Sequence, residues 1–116
     1  MLLDLNNLPA VYICSTPVDL RKGIDGYAEL VQSQMRLNPM DGSLYLFTNR
    51  AKKKLKGILF NGTGFWLLYY RPENGRFDWR VSSDGTSALI TEEQFDRLMN
   101  GFTIESSFKP THPVYA

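Results

Sequence analysis

Cations and aromatic rings occur close together in the middle of the chain. Five Lys or Arg residues fall within residues 50–56, and residues 65–70 contain four aromatic side chains. Lysine and arginine attract phosphates, and exposed aromatic rings stack on unpaired bases. This combination indicates nucleic acid, and DNA in particular, as a candidate partner. The cations that we assign to phosphate contacts are Arg50, Lys52, Lys53, Lys54, Lys56, Arg71, Arg76 and Arg80.

The positive charge is concentrated in one part of a chain that is nearly neutral overall. Residues 42–82 contain eight Lys or Arg and two acidic residues, whereas the rest of the chain contains five and ten. Like charges on one surface repel each other, so a basic segment of this kind favours an anionic partner. A simpler interpretation is that a lysine run between two strands is a solvated connection that prevents edge-to-edge pairing. The sequence leaves both interpretations open.

Alternation along residues 65–70 divides their side chains between the two faces of a strand. Phe65, Leu67 and Tyr69 share one face, and Trp66, Leu68 and Tyr70 share the other. Because both faces are apolar, we expect this strand to be central in its sheet or covered on both sides. Such a position would leave only some of the rings available for stacking on bases.

The length and composition are those of one small globular domain. A chain of 116 residues with 43% hydrophobic residues buries one core and leaves no room for a second. Residues 105–116 contain two prolines and show no periodicity, so we expect a single domain over residues 1–104 followed by an extended tail. Cys14 has no second cysteine to pair with, and we expect no disulfide, no zinc site and no cofactor.

No segment indicates export or membrane insertion. The first nine residues lack a basic region and include an acid within a short apolar run, unlike a secretory signal. No stretch approaches the roughly 20 apolar residues of a membrane-spanning helix. We therefore expect a soluble, cytoplasmic protein without a membrane partner.

Capping residues and apolar spacing predict two helices. Thr16 is the expected N-cap of the first, followed by proline at the first helical position and Asp19 as the capping-box carboxylate. Apolar residues spaced by three or four continue from residue 20 to about residue 36, and Gly23 would allow a bend near the start. A short C-terminal helix is expected to start after Thr91 and to end at Gly101.

Segments of continuous or alternating apolar residues predict five strands. They cover residues 10–15, 43–48, 55–60, 65–70 and 76–81. Tight turns are expected at Asn61-Gly62 and at residues 72–75, and residues 82–87 are expected to form a loop. The predicted fold is an α+β domain, with a mostly antiparallel sheet of about five strands, one longer helix packed on it and a short C-terminal helix.

Four segments together resemble one known family. They are residues 16–26 (TPVDLRKGIDG), 44–50 (LYLFTNR), 62–67 (GTGFWL) and 73–79 (ENGRFDW). In this combination and order they resemble the TnpB accessory proteins, products of the second open reading frame of the bacterial IS66 transposons. The resemblance implies an auxiliary factor that acts with a separate transposase, and it does not imply that this chain cuts DNA. The residues that match the family motifs are Pro17, Asp19, Arg21, Lys22, Gly23, Gly62, Gly64, Phe65, Gly75, Arg76 and Phe77.

Neither the carboxylates nor the histidine indicates a catalytic site. DNA strand transfer needs several carboxylates that converge on metal ions. Asp19 and Asp41 are expected to serve in a helix cap and a turn, and Asp78 to pair with a neighbouring arginine on its strand. His112, the one histidine of the sequence, lies in the tail, a poor place to position a general base. We therefore expect no metal ligand and no enzymatic activity.

Two interpretations apply to the adjacent cations Arg21 and Lys22. The nearby acids Asp19, Asp25 and Glu29 would neutralise them, which favours a structural role. Contact with phosphate is the alternative, and of the two we favour the structural role.

Three functions are consistent with these residues. The first, which we expect, is a non-catalytic accessory protein of transposition that binds DNA through the basic segment without base-specific readout. The second is an adaptor that binds the transposase without DNA contact, through the acids Glu92, Glu93 and Asp96 of the last helix. The third is a small toxin-type ribonuclease, for which a placed general base is lacking. The sequence leaves self-association open.

Overall fold

The computed structural model describes residues 7–73 and 87–99. Within these ranges the chain forms five strands and two helices, and neither helix is long and apolar enough to cross a membrane. In chain order the elements are β1 (Val11–Cys14), α1 (Ile24–Ser33), β2 (Leu44–Thr48), β3 (Leu55–Phe60), β4 (Phe65–Tyr70), β5 (Ser87–Ile90) and α2 (Glu92–Met99). The first helix connects β1 to β2, and the second follows β5 almost directly.

The five strands form one mixed sheet in the order β4-β3-β2-β1-β5. β1 and β2 run parallel, as a helical crossover between them allows, whereas β1–β5, β2–β3 and β3–β4 are antiparallel pairs. The predicted α+β fold with a mostly antiparallel sheet is confirmed. The parallel pair has a consequence for function, because it places the carboxyl ends of β1 and β2 at the same end of the sheet.

Four of the predicted strands agree with β1 to β4 to within one residue at each end. The predicted strand at residues 76–81 lies outside the described residues. The sequence does not predict β5, which was expected to follow a loop as irregular chain leading into the last helix. This strand has four residues, begins with Ser87-Ala88, and pairs with a β1 segment far away in sequence. Neither its local propensity nor its length therefore marks it as a strand.

The predicted start of the first helix is wrong. α1 begins at Ile24, with Gly23 in an extended conformation at the N-cap and no side-chain cap, instead of following Thr16. The chain beyond β1 instead remains attached to the sheet, because the backbone N–H of Val18 donates to the carbonyl O of Thr48 at 2.9 Å. This contact with the end of β2 takes the place of a first helical turn.

The two residues assigned to the capping box have other partners. Thr16 Oγ1 accepts a hydrogen bond from the side-chain amide of Gln34, at the far end of α1. Asp19 accepts hydrogen bonds from Arg21, two residues along the chain. A short polar side chain that hydrogen-bonds to nearby groups in the chain competes with helix formation. Here the hydrogen bonds of Asp19 to Arg21 form in place of the predicted helix cap.

The apolar stripe predicted for this helix is nevertheless correct. Tyr27, Val31 and Met35 are buried against the sheet, together with Leu20 from the segment before the helix. The helix ends at Ser33, slightly before the predicted end near residue 36. Arg36 takes the left-handed conformation, with φ at 59°, which directs the chain away from the helix.

Apolar side chains on the two faces of the sheet form two clusters. On the face covered by α1, called here the α1 side, the buried members are Cys14, Leu20, Tyr27, Val31, Met35, Tyr45, Phe47 and Ile58. On the face covered by α2, called the α2 side, they are Val11, Ile13, Leu44, Leu46, Leu55, Leu59, Ile90, Phe95 and Leu98. The sheet is therefore the middle layer of the fold.

A reciprocal capping box starts α2, as the sequence predicts for Thr91. Thr91 Oγ1 accepts from the backbone N–H of Gln94 at 3.0 Å, and Gln94 Oε1 accepts from the backbone N–H of Thr91 at 2.8 Å. Phe95 and Leu98 are buried as expected. The predicted helix end at Gly101, the domain limit at residue 104 and the tail all lie outside the described residues.

Candidate nucleic-acid interface

The connection between β2 and β3, residues 49–54, is a hydrogen-bonded turn that we call the basic turn. The backbone N–H of Lys52 donates to both the carbonyl O and the side-chain Oδ1 of Asn49, each at 3.2 Å, and Lys52 is left-handed at φ 57°. Thr48, which is almost fully buried, donates from Oγ1 to the carbonyl O of Lys54 at 2.8 Å and closes the turn at its base. The cations displayed on this turn are Arg50, Lys52, Lys53 and Lys54.

Pairing of β3 with β4 adds another cation beside this turn. Leu55 at the start of β3 pairs with Tyr70 at the end of β4, so Arg71, which follows β4, lies next to Lys54, which precedes β3. Arg71 is exposed. The remaining two predicted phosphate ligands, Arg76 and Arg80, lie outside the described residues.

Lys56 lies on the α1 side of the sheet, between its strand partners Phe47 and Tyr69. Its Nζ is 5.8 Å from the centroid of the Tyr69 ring. A cation at this distance is attracted to the electron-rich face of the ring. The charge of Lys56 is therefore held beside an aromatic surface, one residue inside the strand that begins after the basic turn.

Residues 15–23, between β1 and α1, lie at the same end of the sheet. The parallel pairing of β1 with β2 brings their carboxyl ends together, and the hydrogen bond from Val18 to Thr48 joins this segment to the base of the basic turn. Arg21 and Lys22 in this segment are exposed. We call the surface formed by residues 15–23, the basic turn and Arg71 the basic end.

Asp19 is the acid that faces these cations from within residues 15–23. Its carboxylate accepts hydrogen bonds from the backbone N–H of Arg21 at 2.9 Å and from Arg21 Nε and Nη2 at 3.0 Å each. The guanidinium donating to it lowers the pKa of the Asp19 carboxyl from 3.8 to about 2. Both side chains are largely exposed, so the pair contributes little to stability. Arg21 thus has the structural partner that the sequence suggests.

Lys22 and the glycines near it complete this segment. The aliphatic stem of Lys22 lies against Gly26, where an added Cβ would be 3.2 Å from the Lys22 Cβ. Gly23, a family-motif residue, is the exposed N-cap of α1, and Pro17, another, lies in the irregular chain between β1 and that cap. The motif at residues 16–26 therefore builds the connection from β1 to α1, with Lys22 exposed at its surface.

The family motif at residues 62–67 begins in the hairpin at the opposite end of β3 and β4. Asn61 Oδ1 accepts from the backbone N–H groups of Thr63 and Gly64 at 3.1 and 3.0 Å, and Gly62 has φ at 105°. A positive φ of this size suits glycine. Phe65 packs against the α1-side cluster. The predicted turn is confirmed and is structural, while the motif residues Gly75, Arg76 and Phe77 lie outside the described residues.

The expectation that residues 65–70 form a central or doubly covered strand is wrong for the described sheet. β4 is its terminal strand, and several of its large side chains are exposed. On the α2 side, Tyr70 donates from its hydroxyl to the carbonyl O of Met99 at 2.6 Å. On the α1 side, Tyr69 is 56% exposed. Alternation identifies the two faces correctly but does not reveal how far each helix covers them.

Asp41, a carboxylate in the turn before β2, has structural partners. Asp41 Oδ1 accepts from the backbone N–H of Ser43 and Oδ2 from the Tyr45 hydroxyl, each at 2.9 Å. Burial, together with this hydrogen bond, raises the pKa of Tyr45. Within residues 7–73 and 87–99, no group of three or more His, Cys, Asp or Glu is placed to hold a metal ion. Asp78 and His112 lie outside those ranges.

Thr48 and Asn49 shape the site and were not identified from the sequence. An asparagine whose side chain accepts from a backbone N–H a few residues later is typical of turns, so Asn49 carried a usable signal. Thr48 carried none, because its burial depends on the pairing of β2 with its neighbours.

Comparison with known proteins agrees with the motifs. A family model described as IS66 Orf2 like protein matches residues 9–109. The uncharacterized protein y4hO of Sinorhizobium fredii (strain NBRC 101917 / NGR234) is 36% identical over 91 residues, which cover 78% of this chain and 78% of that protein. The uncharacterized protein y4jC of the same strain is 30% identical over 91 residues, covering 78% and 77%. No solved structure matches the chain. Because the family match includes all four sequence motifs, the chain belongs to the IS66 Orf2-like proteins, a family whose role is accessory to transposition.

Proposed function

We propose that this chain is a non-catalytic accessory protein of IS66 transposition that binds DNA through phosphate contacts at the basic end. Family membership supplies the accessory role. The partner and the surface are our inference from the described residues. In this proposal the protein acts beside a separate transposase and reads no base sequence.

The observation that carries the proposal is the convergence of cations from three separate segments on one end of the sheet. Strand register brings Arg71 to the basic turn, and the Val18–Thr48 hydrogen bond brings the segment with Lys22 to the same place. Asp19 is paired with Arg21 and also attracts Lys22, so the net positive charge of the basic end comes mainly from the basic turn and Arg71. A surface of this charge attracts a phosphate backbone of any sequence.

The geometry of the basic turn also favours a role in phosphate binding over a role as a merely solvated connection between strands. Its backbone is fixed by the hydrogen bonds of Lys52 to Asn49 and of Thr48 to Lys54. A turn that is ordered before binding loses less conformational entropy when phosphates engage its side chains. The cations are therefore presented to a ligand at a small cost in free energy.

Replacement of four lysines by glutamine tests the proposal. The variant combines Lys52→Gln, Lys53→Gln, Lys54→Gln and Lys56→Gln. Each lost phosphate contact removes about 0.9 from the slope of log K against log salt, so the slope should fall in magnitude by roughly 3 to 4. Fluorescence anisotropy with a labelled DNA duplex, repeated over a range of salt concentrations, measures this slope. Lys53 is exposed, whereas Lys52, Lys54 and Lys56 are half-buried, so thermal unfolding is measured alongside to show that the variant remains folded at the temperature of the binding assay.

Arg36→Gln is the matched control, since Arg36 is an exposed cation that follows α1 and belongs neither to the basic turn nor to residues 15–23. It should leave the slope as in the wild type. An unchanged slope in the four-lysine variant, or no measurable affinity of the wild type at low salt, would contradict the proposal. A complex with the transposase that survives nuclease treatment and is lost with Glu92→Gln and Glu93→Gln would instead favour the adaptor, since both acids are exposed on α2.

A further inference from the structure

We propose that the DNA bound at the basic end is single-stranded and that one of its unpaired bases stacks on Tyr69. This inference rests on the proposed function and adds the form of the ligand. The observation behind it is a row of apolar side chains on the α1 side of β4, which phosphate contacts alone do not explain. That row leads from the hairpin towards the basic turn.

Exposure along this row increases towards the cations. Phe65 at the hairpin is half-buried against the α1-side cluster, Leu67 is 39% exposed, and Tyr69 is 56% exposed. Tyr69 is the most exposed aromatic residue in the described part of the chain. Along β4, cover of the α1 side therefore diminishes towards the basic end and leaves the Tyr69 ring exposed there, whereas Phe47 on β2 stays buried against Tyr27 of α1.

Cations are close to this ring in the sheet and along the chain. Lys56, the strand partner of Tyr69, holds its Nζ 5.8 Å from the ring centroid, and Arg71 follows two residues later in the chain. Lys54, at the end of the basic turn, lies next to Arg71 through the pairing of Leu55 with Tyr70. A nucleotide whose base stacks on Tyr69 would thus place its own phosphates beside these cations.

An unpaired strand fits this arrangement better than a duplex or an apolar protein surface. In a duplex each base is stacked on its neighbours, so its face cannot reach a ring that lies on a sheet surface. A protein partner that covered the ring would have to remove water from Lys56 and Arg71, which is costly without an opposite charge. A single strand supplies both the base face and the phosphates.

Binding of three labelled oligonucleotides of equal length tests the inference. They are a thymidine strand, the same phosphate backbone with abasic sites, and a DNA duplex. Tyr69→Ala should weaken binding of the thymidine strand by roughly 5- to 150-fold, the value of one stacked base, and should leave the other two unchanged. Tyr69→Phe keeps a ring and should bind nearly as the wild type. The salt slope should be the same in all three proteins, because no phosphate contact is removed.

Two further variants complete the test, one as a control and one as a substitute for Tyr69→Ala. Leu89→Ala removes a side chain that is 63% exposed on the same face as Tyr69 but on β5, at the opposite edge of the sheet from β4, and should not affect binding. Tyr69→Thr keeps a residue that favours strands while removing the ring, so it replaces Tyr69→Ala if the alanine variant unfolds. Either ring-free variant should show the selective loss.

The outcomes separate this inference from the proposed function. If the wild type binds duplex as tightly as the thymidine strand while the four-lysine variant weakens both, the inference fails and the proposed function stands. Equal weakening of thymidine and abasic strands by the ring-free variants would also overturn the inference. No binding to any of the three would overturn both. A uridine RNA strand that binds at least as tightly as the thymidine strand would exclude DNA as the ligand.

Discussion

At the residue scale, Asp19 shows how one carboxylate is committed by its immediate neighbours. Three hydrogen bonds from Arg21 hold it and lower its pKa to about 2. The folded-state pKa is below the ordinary value of 3.8, so the small stabilisation from this pair is present above pH 3.8 and is lost as the pH falls towards 2. Near neutral pH the carboxylate is occupied by Arg21, which makes it a poor metal ligand or general base.

Gly57 is a residue whose role depends on strand packing. It lies in β3, opposite Leu46 of β2 and Leu68 of β4. A Cβ at this position would be 2.8 Å from Leu46 Cδ2 and 3.1 Å from the carbonyl O of Tyr45. The backbone oxygen cannot move as a side-chain end can, so the sheet accepts glycine here and resists a larger residue.

We expect Gly57→Ala to destabilise the fold. Overpacking a core costs about 1 to 3 kcal/mol, and the reduced entropy of the unfolded chain offsets about 0.4 to 1 kcal/mol of this. The matched control is Gly64→Ala, since a Cβ there meets nothing within 4 Å and Gly64 is not left-handed. Urea unfolding of both variants measures the difference. Gly57→Ala at least as stable as Gly64→Ala would show that the close approach is not present.

Among the secondary-structure elements, the start of a helix can be predicted from the sequence when its capping partners are close together in the chain. Thr91 and Gln94 satisfy each other's backbone groups across three residues, so the start of α2 is predicted correctly. The sequence around Thr16 and Asp19 shows a similar pattern. Asp19 nevertheless accepts hydrogen bonds from Arg21, and the backbone of Val18 donates one to Thr48 of β2. Nothing local signals the Val18–Thr48 hydrogen bond, because it depends on the parallel pairing of β1 with β2.

The capping box of α2 gives a prediction at this scale. Thr91→Ala should lower the free energy of unfolding by about 0.5 to 2 kcal/mol, whereas Thr91→Ser, which keeps the hydroxyl, should stay close to the wild type. The double variant Thr91→Ala/Gln94→Ala should lose less than the two single variants combined, because both belong to one pair of reciprocal hydrogen bonds. Strictly additive losses in urea unfolding would argue against the box.

In the whole molecule, the sheet topology brings cationic segments that are separate in sequence to one end of the sheet. The sequence predicts the cations of residues 50–56 and four of the strands, since both are local patterns. It does not predict that the segment containing Lys22 and the end of β4 before Arg71 lie at the same end of the sheet as the basic turn, because that depends on a parallel pair and on strand register. Nor does it indicate which ring stays exposed, because cover by α1 is a property of the packed layers.

We expect the protein to cut neither DNA nor RNA. Asp19 and Asp41 are engaged with Arg21 and with Ser43 and Tyr45, so neither is available to share metal ions with other carboxylates as strand cleavage requires. Purified protein with magnesium or manganese should leave duplex, single-stranded and transposon-end DNA intact, and RNA likewise after prolonged incubation. Reproducible cleavage that disappears with Asp19→Asn or Asp41→Asn would overturn this expectation. Cleavage that persists in both variants would indicate a contaminating nuclease or a site beyond the described residues, and Asp78→Asn and His112→Ala separate those two sources.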